Sequence, residues 1–554
     1  MLDIPLKSLV IQFSDFLSKP CSSFNTYGKT VMENSNLNLG YFNLEAAQNF
    51  GANLAIVDLS REPEAKISHS LLNERMDRVA AVLQSFNFKI GARLILAMEN
   101  RFEFIEAFFG TMRAGLVPIP LNNKLGADTI RFILRDSNAE AAIVSPLCNR
   151  NIVEIVDEAD LSLRIAADPV PSGWDSYERL LADADPLSVR DVLIKPRQTA
   201  FLPYTSGSTG LPKGVLLPHD GMLWSIRTAQ QYWPAAPSDR ALIAGPLFHK
   251  NAMRVSVKPK LRVGGSVVIM PHFEPRLFLH ALSGFSCTHT GGVPAMYRMI
   301  LEQKDLIKNL GFPNLKSLEM GSAVVGADLI AAIEEVFRTP VIEAYGLTEG
   351  GGPLREPANG SAPVGSCGMV APEVEVKLVN DKGIENQKEG ELWVRSPAVL
   401  TGYNNRPKLN EERLIDGFLR TRDIFRCDKK GFFYFMGRAD DQFSCGGENI
   451  NPKEVELLLV QHPEVIDAVV VPIKHDIKGF APAALVTLNK QFVTYEKVLK
   501  DFTLENGPSY AHPRRIFSVE EMPFNGAGKI DRNLAKKIIT TLIKNELKAP
   551  HSKK

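Results

Sequence analysis

From about residue 66 onward the sequence alternates between helical spacing and short apolar runs, and that alternation leaves few architectures open. Leu72, Met76, Val79 and Leu83 recur on one helix face, and Gly91 then precedes the run Leu94-Ile95-Leu96-Ala97-Met98. Phe104, Ile105, Phe108 and Phe109 line one side of a second helix, which Gly115 ends before Leu116-Val117-Pro118-Ile119. Strand, helix, strand with short breaks predicts a parallel sheet covered by helices, because parallel strands need a crossover long enough to hold one. The same alternation recurs over 141–145, 241–300 and 315–345. Between about 365 and 436 the texture changes to short strands, at 373–379, 391–394 and 432–436, broken by Gly, Asn and Asp. That texture predicts an antiparallel or barrel-like lobe. Beyond Gly437-Arg438-Ala439-Asp440 come a helix near 452–461, strands at 467–472 and 483–488, and further helices near 494–504 and at the C-terminal end. The expected fold class is α/β with a β-barrel-like lobe. Residues 1–437 are expected to form a large domain of two αβ lobes plus the barrel, and 438–554 a small α+β domain.

Composition narrows the function classes. The 554 residues carry 64 Lys and Arg against 63 Asp and Glu, a formal charge of +1, which gives no electrostatic case for nucleic acid. No uncharged apolar stretch approaches the roughly 18 residues of a membrane span, so no transmembrane segment is expected. Six cysteines without a CxxC pair imply neither a disulfide framework nor a zinc site, and a reducing, cytoplasmic location is expected.

The most informative stretch is Tyr204-Thr205-Ser206-Gly207-Ser208-Thr209-Gly210-Leu211-Pro212-Lys213-Gly214. Glycines let backbone N–H groups approach a polyphosphate, hydroxyls donate hydrogen bonds and the lysine neutralises charge. The alternative on composition alone is a flexible Ser/Gly surface loop. It is not a Walker loop: Gly214 follows Lys213 where Ser or Thr is required, and Val215-Leu216-Leu217-Pro218 reads as a strand.

This loop resembles the signature of the adenylate-forming enzymes: acyl-CoA synthetases, aryl-CoA ligases, luciferases and peptide-synthetase adenylation domains. Tyr345-Gly346-Leu347-Thr348-Glu349, Glu389-Gly390-Glu391-Leu392-Trp393-Val394, Thr421-Arg422-Asp423, Gly437-Arg438, Gly446-Gly447-Glu448-Asn449-Ile450 and Gly528-Lys529-Ile530 follow in family order across residues 60–540. The resemblance implies that a carboxylate attacks the α-phosphate of ATP, giving an acyl adenylate and pyrophosphate, and that coenzyme A then takes the acyl group. It further implies ATP binding by Thr205, Ser206, Gly207, Ser208, Thr209, Gly210 and Lys213, with Tyr345 packing on adenine opposite Ser322 and Ala323. Thr348 would meet the α-phosphate, Glu349 would hold Mg²⁺, Asp423 would accept both ribose hydroxyls, and Arg438 would lie near ribose and phosphate. Outside this pattern, Thr348-Glu349 reads as a helix cap with a first-turn acid.

Lys529 resembles the family's catalytic lysine, carried on a glycine-rich hairpin tip. Asp440 matches the hinge about which the small domain turns as a lid, after which Gly446, Gly447 and Glu448 would line the pantetheine tunnel. His249, in Pro246-Leu247-Phe248-His249-Lys250-Asn251-Ala252-Met253, matches the residue flanking the acyl channel, with Gly321 also at the acyl pocket. Lys250 or Asn251 is expected to meet a polar or second anionic group on the substrate; the alternative is an outward Lys250 and an apolar pocket.

Several positions depart from the family pattern. Arg422 stands for the usual glycine before the ribose-binding aspartate, Phe418 for a tryptophan in the preceding turn, and Phe480 for a frequent glutamate. The leading reading is an acid–CoA ligase acting on a small-molecule carboxylic acid, whether fatty, aromatic or dicarboxylic. The runner-up loads an acyl group onto a free-standing acyl carrier protein, and a third reading is a non-catalytic nucleotide- or acyl-binding protein.

Overall fold

Alternation of side chains across strands decides the layering. Leu94 and Leu96 enter one core while Ile95 and Ala97 enter another. Likewise Ile243 and Val267 join the first core, whereas Leu242 and Val268 join a third. The first core also holds the helices His69–Ser85 and Phe102–Arg113, which therefore lie between two sheets. This computed structural model describes residues 37–205, 211–321, 327–357, 361–380, 382–386, 388–445, 448–475, 479–489, 495–509, 511–525 and 529–548.

One sheet is parallel throughout, with strands ordered Val117–Pro120, Arg93–Ala97, Ala141–Val144, Leu163–Ala166, Asp175–Ser176. The other has seven strands, ordered Val341–Ala344, Ser317–Gly321, His289–Gly292, Arg240–Ile243, Ser266–Ile269, Leu54–Asp58 and Ala65–Ser68, parallel except for the last pair. Both αβ lobes expected from the sequence are present. The helix Phe102–Arg113 is buried on every side rather than on one, because a sheet flanks each face. Its buried Glu103 and Glu106 are paired with Arg101 at 2.8 Å and Arg75 at 2.6 Å, as buried carboxylates require.

The barrel-like lobe is antiparallel: Glu375–Val379, Glu389–Arg395, Phe418–Cys427 and Phe433–Arg438 pair in turn, with Leu414–Ile415 on the third strand. Phe418, expected in a turn, opens a ten-residue strand. The apolar alternation is hidden there because Thr421 and Asp423 face inward beside Leu419 and Phe425.

The last lobe builds a sheet from Phe443–Cys445, Glu448–Ile450, Val465–His475, Gly479–Leu488 and Arg515–Ser518, covered by Pro452–Val460, Tyr495–Asn506 and Arg532–Lys548. Its two cores draw on residues from Phe443 onward, and the preceding cores on residues up to Phe435. An ion pair between Arg298 and Asp467, at 3.1 Å, crosses between large and small domains.

Candidate functional site

The strand Lys213–Pro218 closes the hydroxyl-rich loop, for Lys213 pairs with Thr205 and Gly214 with Tyr204. Ser206, Gly207, Ser208, Thr209 and Gly210 lie outside the described residues, as do Ser322, Ala323, Gly446 and Gly447. The base of the loop is clamped by Asp136, which accepts hydrogen bonds from the Tyr204 hydroxyl at 2.8 Å and from Arg406 at 3.1 Å. On its other edge the same strand pairs Val215 with Tyr403, whose hydroxyl donates to Glu349 Oε1 at 3.4 Å. Lys213 and Glu349 are thereby tied to one framework. Neither Asp136 nor Tyr403 carries a sequence signal that would have singled it out.

Thr348 and Glu349 do not cap a helix. They form the tip of a tight turn in which Leu347 and Gly351 exchange backbone hydrogen bonds of 2.9 and 3.0 Å, and Gly351 supplies the positive φ of +75°. The Leu400 N–H donates to the Glu349 carbonyl at 2.7 Å, and the Lys250 ammonium donates to the Thr348 carbonyl at 2.6 Å. This corrects the alternative of an outward Lys250: its side chain is buried and supports the turn through the Thr348 carbonyl. Burial lowers its pKa well below the usual lysine value.

His249 caps the helix that Lys250 begins, its Nδ1 accepting from the Asn251 N–H at 3.3 Å. Burial first, and then Lys529 and Lys250, push its pKa down to about 4. The ring is therefore neutral near pH 7, with its proton on Nε2. Gly321 ends the strand Ser317–Gly321 beside Ala344, directly before the segment carrying Tyr345.

Tyr345 and Asp423 meet directly: the phenol donates to Asp423 Oδ2 at 2.6 Å. The ring of Tyr345 packs edge-on to Phe425 with centroids 4.7 Å apart. Asp423 Oδ1 lies 3.7 Å from Arg438, and burial raises the carboxyl pKa against that arginine's opposing charge. Oδ2 retains a lone pair for a ligand hydroxyl beside the tyrosine. Arg438 also lies 3.6 Å from Asp440, which accepts from Arg422 Nε at 2.9 Å. Arg422 holds a φ of +63°, a conformation that suits glycine, and it joins the barrel strand to the segment entering the small domain.

From the small domain, Phe524 and Ile530 bridge to hold the hairpin that presents Lys529, and Asn525 and Lys529 exchange hydrogen bonds. The intervening Gly526–Gly528 lie outside the described residues. Lys529 is exposed on this segment yet lies within electrostatic reach of Asp423, Arg438, Glu349 and His249, and the surrounding protein lowers its pKa through desolvation. Glu448 is exposed on the strand Glu448–Ile450, which pairs with Phe443–Cys445, and makes no hydrogen bond to this group among the described residues. Asp423, Arg438, Glu349 and His249 of the large domain thus lie within electrostatic reach of Lys529 from the small one, and the strand carrying Lys213 is tied to Glu349 through Tyr403. No cluster of three or more His, Cys, Asp or Glu able to hold a metal occurs among the described residues.

The sequence pattern of the family described as "AMP-binding enzyme" matches residues 44–404, and that of "AMP-binding enzyme C-terminal domain" matches residues 454–529. An oxalate–CoA ligase of Arabidopsis thaliana is 28% identical, over 86% of this chain and 94% of its own length. An indoleacetate–CoA ligase of Aromatoleum aromaticum is 29% identical with the same coverage. The crystal structure of ATP-bound MatB from Rhodopseudomonas palustris superposes with a TM-score of 0.83 at 25% identity, covering 92% of this chain and 100% of that one.

Proposed function

This chain belongs to the AMP-binding enzyme family, and on that premise we propose that it is an acid–CoA ligase, activating a carboxylic acid with ATP and passing the acyl group to coenzyme A. The observation that carries the reading is the convergence of Thr348, Glu349, Asp423 and Arg438 from the large domain with Lys529 from the small one.

In the first step the substrate carboxylate attacks the α-phosphorus of ATP, the bond to the bridging oxygen breaks, and pyrophosphate leaves. Two anions must meet, so preorganised positive charge and donors are the main requirement. Lys213 and the hydroxyls from Thr205 onward cradle the β- and γ-phosphates. Thr348 meets the α-phosphate, Tyr345 packs on adenine, Asp423 takes the ribose hydroxyls, and Lys529 faces the reacting oxygens. The neutral His249, with its proton on Nε2, offers a donor to the incoming acid without adding charge.

Glu349 suits Mg²⁺ arriving with the nucleotide, since that ion is typically held by one or two carboxylates plus phosphate oxygens rather than by an all-protein cage. Bound there, the ion would neutralise phosphate charge. In the second step the coenzyme A thiol attacks the adenylate carbonyl carbon and AMP leaves. The lid turns about Asp440 beforehand, withdrawing Lys529 and bringing Gly446, Gly447 and Glu448 to the thiol's path. The absence of any described helix long and apolar enough to cross a membrane, and five free described cysteines, support a reducing, aqueous compartment such as the cytoplasm.

The test incubates purified protein with ATP, Mg²⁺ and a panel of acids, with and without coenzyme A, and follows AMP and thioester by mass spectrometry. Acid-dependent AMP with acyl-CoA is the expected result. Adenylate that never transfers to coenzyme A would instead point to an acyl carrier protein as acceptor.

A further inference from the structure

The segment after His249 carries Lys250, Arg254 and Lys258 four residues apart, hence on one helical face, and all three are buried. Lys250 is accounted for by the Thr348 carbonyl. Arg254 is not: at 8% exposure its guanidinium makes no hydrogen bond, and no ion pair within 4 Å, with any described residue. It lies against the turn bearing Thr348 and Glu349, where a Cβ on Gly352 would come within 2.3 Å of its Nη1. Arg355 is 1% exposed, packs 4.8 Å from the Trp233 ring centroid, and leaves a buried Nε without a hydrogen-bond partner.

Both arginines line a cavity of about 210 Å³, together with Glu319, Lys260, Lys316 and His289. Lys260 and Lys316 share one carboxylate, Asp239, at 3.8 and 2.6 Å. His289 is neutral near pH 7, burial pushing its pKa down to about 3. Glu319 makes no ion pair within 4 Å of either arginine among the described residues. With Lys260 and Lys316 held by Asp239, the two buried guanidiniums of Arg254 and Arg355 face the single carboxylate of Glu319. Two buried guanidiniums with no carboxylate within 4 Å are costly, and a site that keeps them is organised for a further anion.

The cavity adjoins the Thr348–Glu349 turn through Arg254. Glu319 and Gly321 project from one face of the same strand, about 7 Å apart along it. Glu319 also pairs with Gly291, another residue of the cavity wall. We infer that the substrate is a short dicarboxylic acid, whose second carboxylate sits between Arg254 and Arg355 while the first is activated at the Thr348–Glu349 turn. This inference rests on the acid–CoA ligase reading and narrows its substrate class.

The test compares malonate, succinate, glutarate and adipate with monocarboxylic acids of equal carbon number, reading acyl-CoA formation and thermal stabilisation of the protein. At least one dicarboxylate is expected to exceed its monocarboxylic partner about 10²-fold in kcat/KM, because a monoacid leaves the buried guanidiniums unpaired. Arg254→Met or Arg355→Met should erase most of that preference through KM, Arg254→Lys should restore part of it, and Glu319→Gln should lower KM for the dicarboxylate. In a monoacid assay the preferred dicarboxylate should inhibit competitively; activation would place the anion at a separate site and overturn the inference. Equal or better turnover of a monocarboxylic or aromatic acid by the wild-type protein would overturn it and leave the ligase reading standing. If no acid gives AMP, the ligase reading itself fails. In that case, stabilisation by monoacids equal to that by dicarboxylates would separately remove the cavity's assignment.

Discussion

The turn Leu347–Gly351 and the hairpin presenting Lys529 bring polar groups to one site by opposite means. The turn is tied from three directions, by the Lys250 ammonium, the Leu400 N–H and the Tyr403 hydroxyl. The Lys529 ammonium makes no hydrogen bond with any described residue, and electrostatic interactions with Asp423, Arg438, Glu349 and His249 relate it to the large domain. One side of the machinery is built in and the other is brought up to it. A two-step reaction needs such a division, because a group that assists adenylation must clear the way for a thiol.

The largest effect expected from that division is on Lys529→Gln. Adenylate formation should fall about 10²–10³-fold, the loss typical of removing one charge-stabilising donor, whereas transfer of a preformed acyl adenylate to coenzyme A should change little. Equal losses in both half-reactions, measured in single turnovers, would erase the contrast. The pH dependence sharpens it. Desolvation lowers the Lys529 pKa, so the ammonium is lost at a lower pH than for a free lysine. Adenylation should therefore decline on an alkaline limb below pH 10.5 that thioester formation does not share. No acid limb near pH 6.5 should arise from His249, whose depressed pKa keeps it neutral down to about 4.

Lys250→Met attacks the fixed side. The Thr348 carbonyl loses its donor, which costs about 1–3 kcal/mol at the turn, roughly 5- to 150-fold in adenylation. Removing a buried cation offsets that cost in the folded state, so the melting temperature should move little. A large drop in melting temperature with normal kcat/KM would mean that Lys250 serves the fold alone. The smallest effect is expected of Arg422→Gly, which removes the partly exposed ion pair to Asp440 and relieves a positive φ. Such pairs contribute up to about 1 kcal/mol, so adenylation should shift by no more than about fivefold relative to thioester formation.

The sequence reveals most where local chemistry repeats. Apolar runs alternating with helix faces reveal both parallel lobes, because layering follows from side-chain period alone. The strand Phe418–Cys427 escapes that logic: two inward positions, Thr421 and Asp423, are polar, and the alternation that marks a strand is broken where the site begins. Thr348-Glu349 reads locally as a cap and is a turn, since Gly351 and long-range bonds from Lys250 and Leu400 decide its shape. The spacing of Lys250, Arg254 and Lys258 is plain in the sequence, but a charged helical face ordinarily meets solvent. Only the packing of that helix against the seven-stranded sheet reveals it as buried.

The most direct test of the account is exchange of labelled pyrophosphate into ATP without coenzyme A, in wild-type protein and in Lys529→Gln. The expected result is exchange that requires a carboxylic acid and largely disappears in the variant. Exchange that ignores the acid, or an acid-dependent reaction releasing ADP and phosphate, would contradict it.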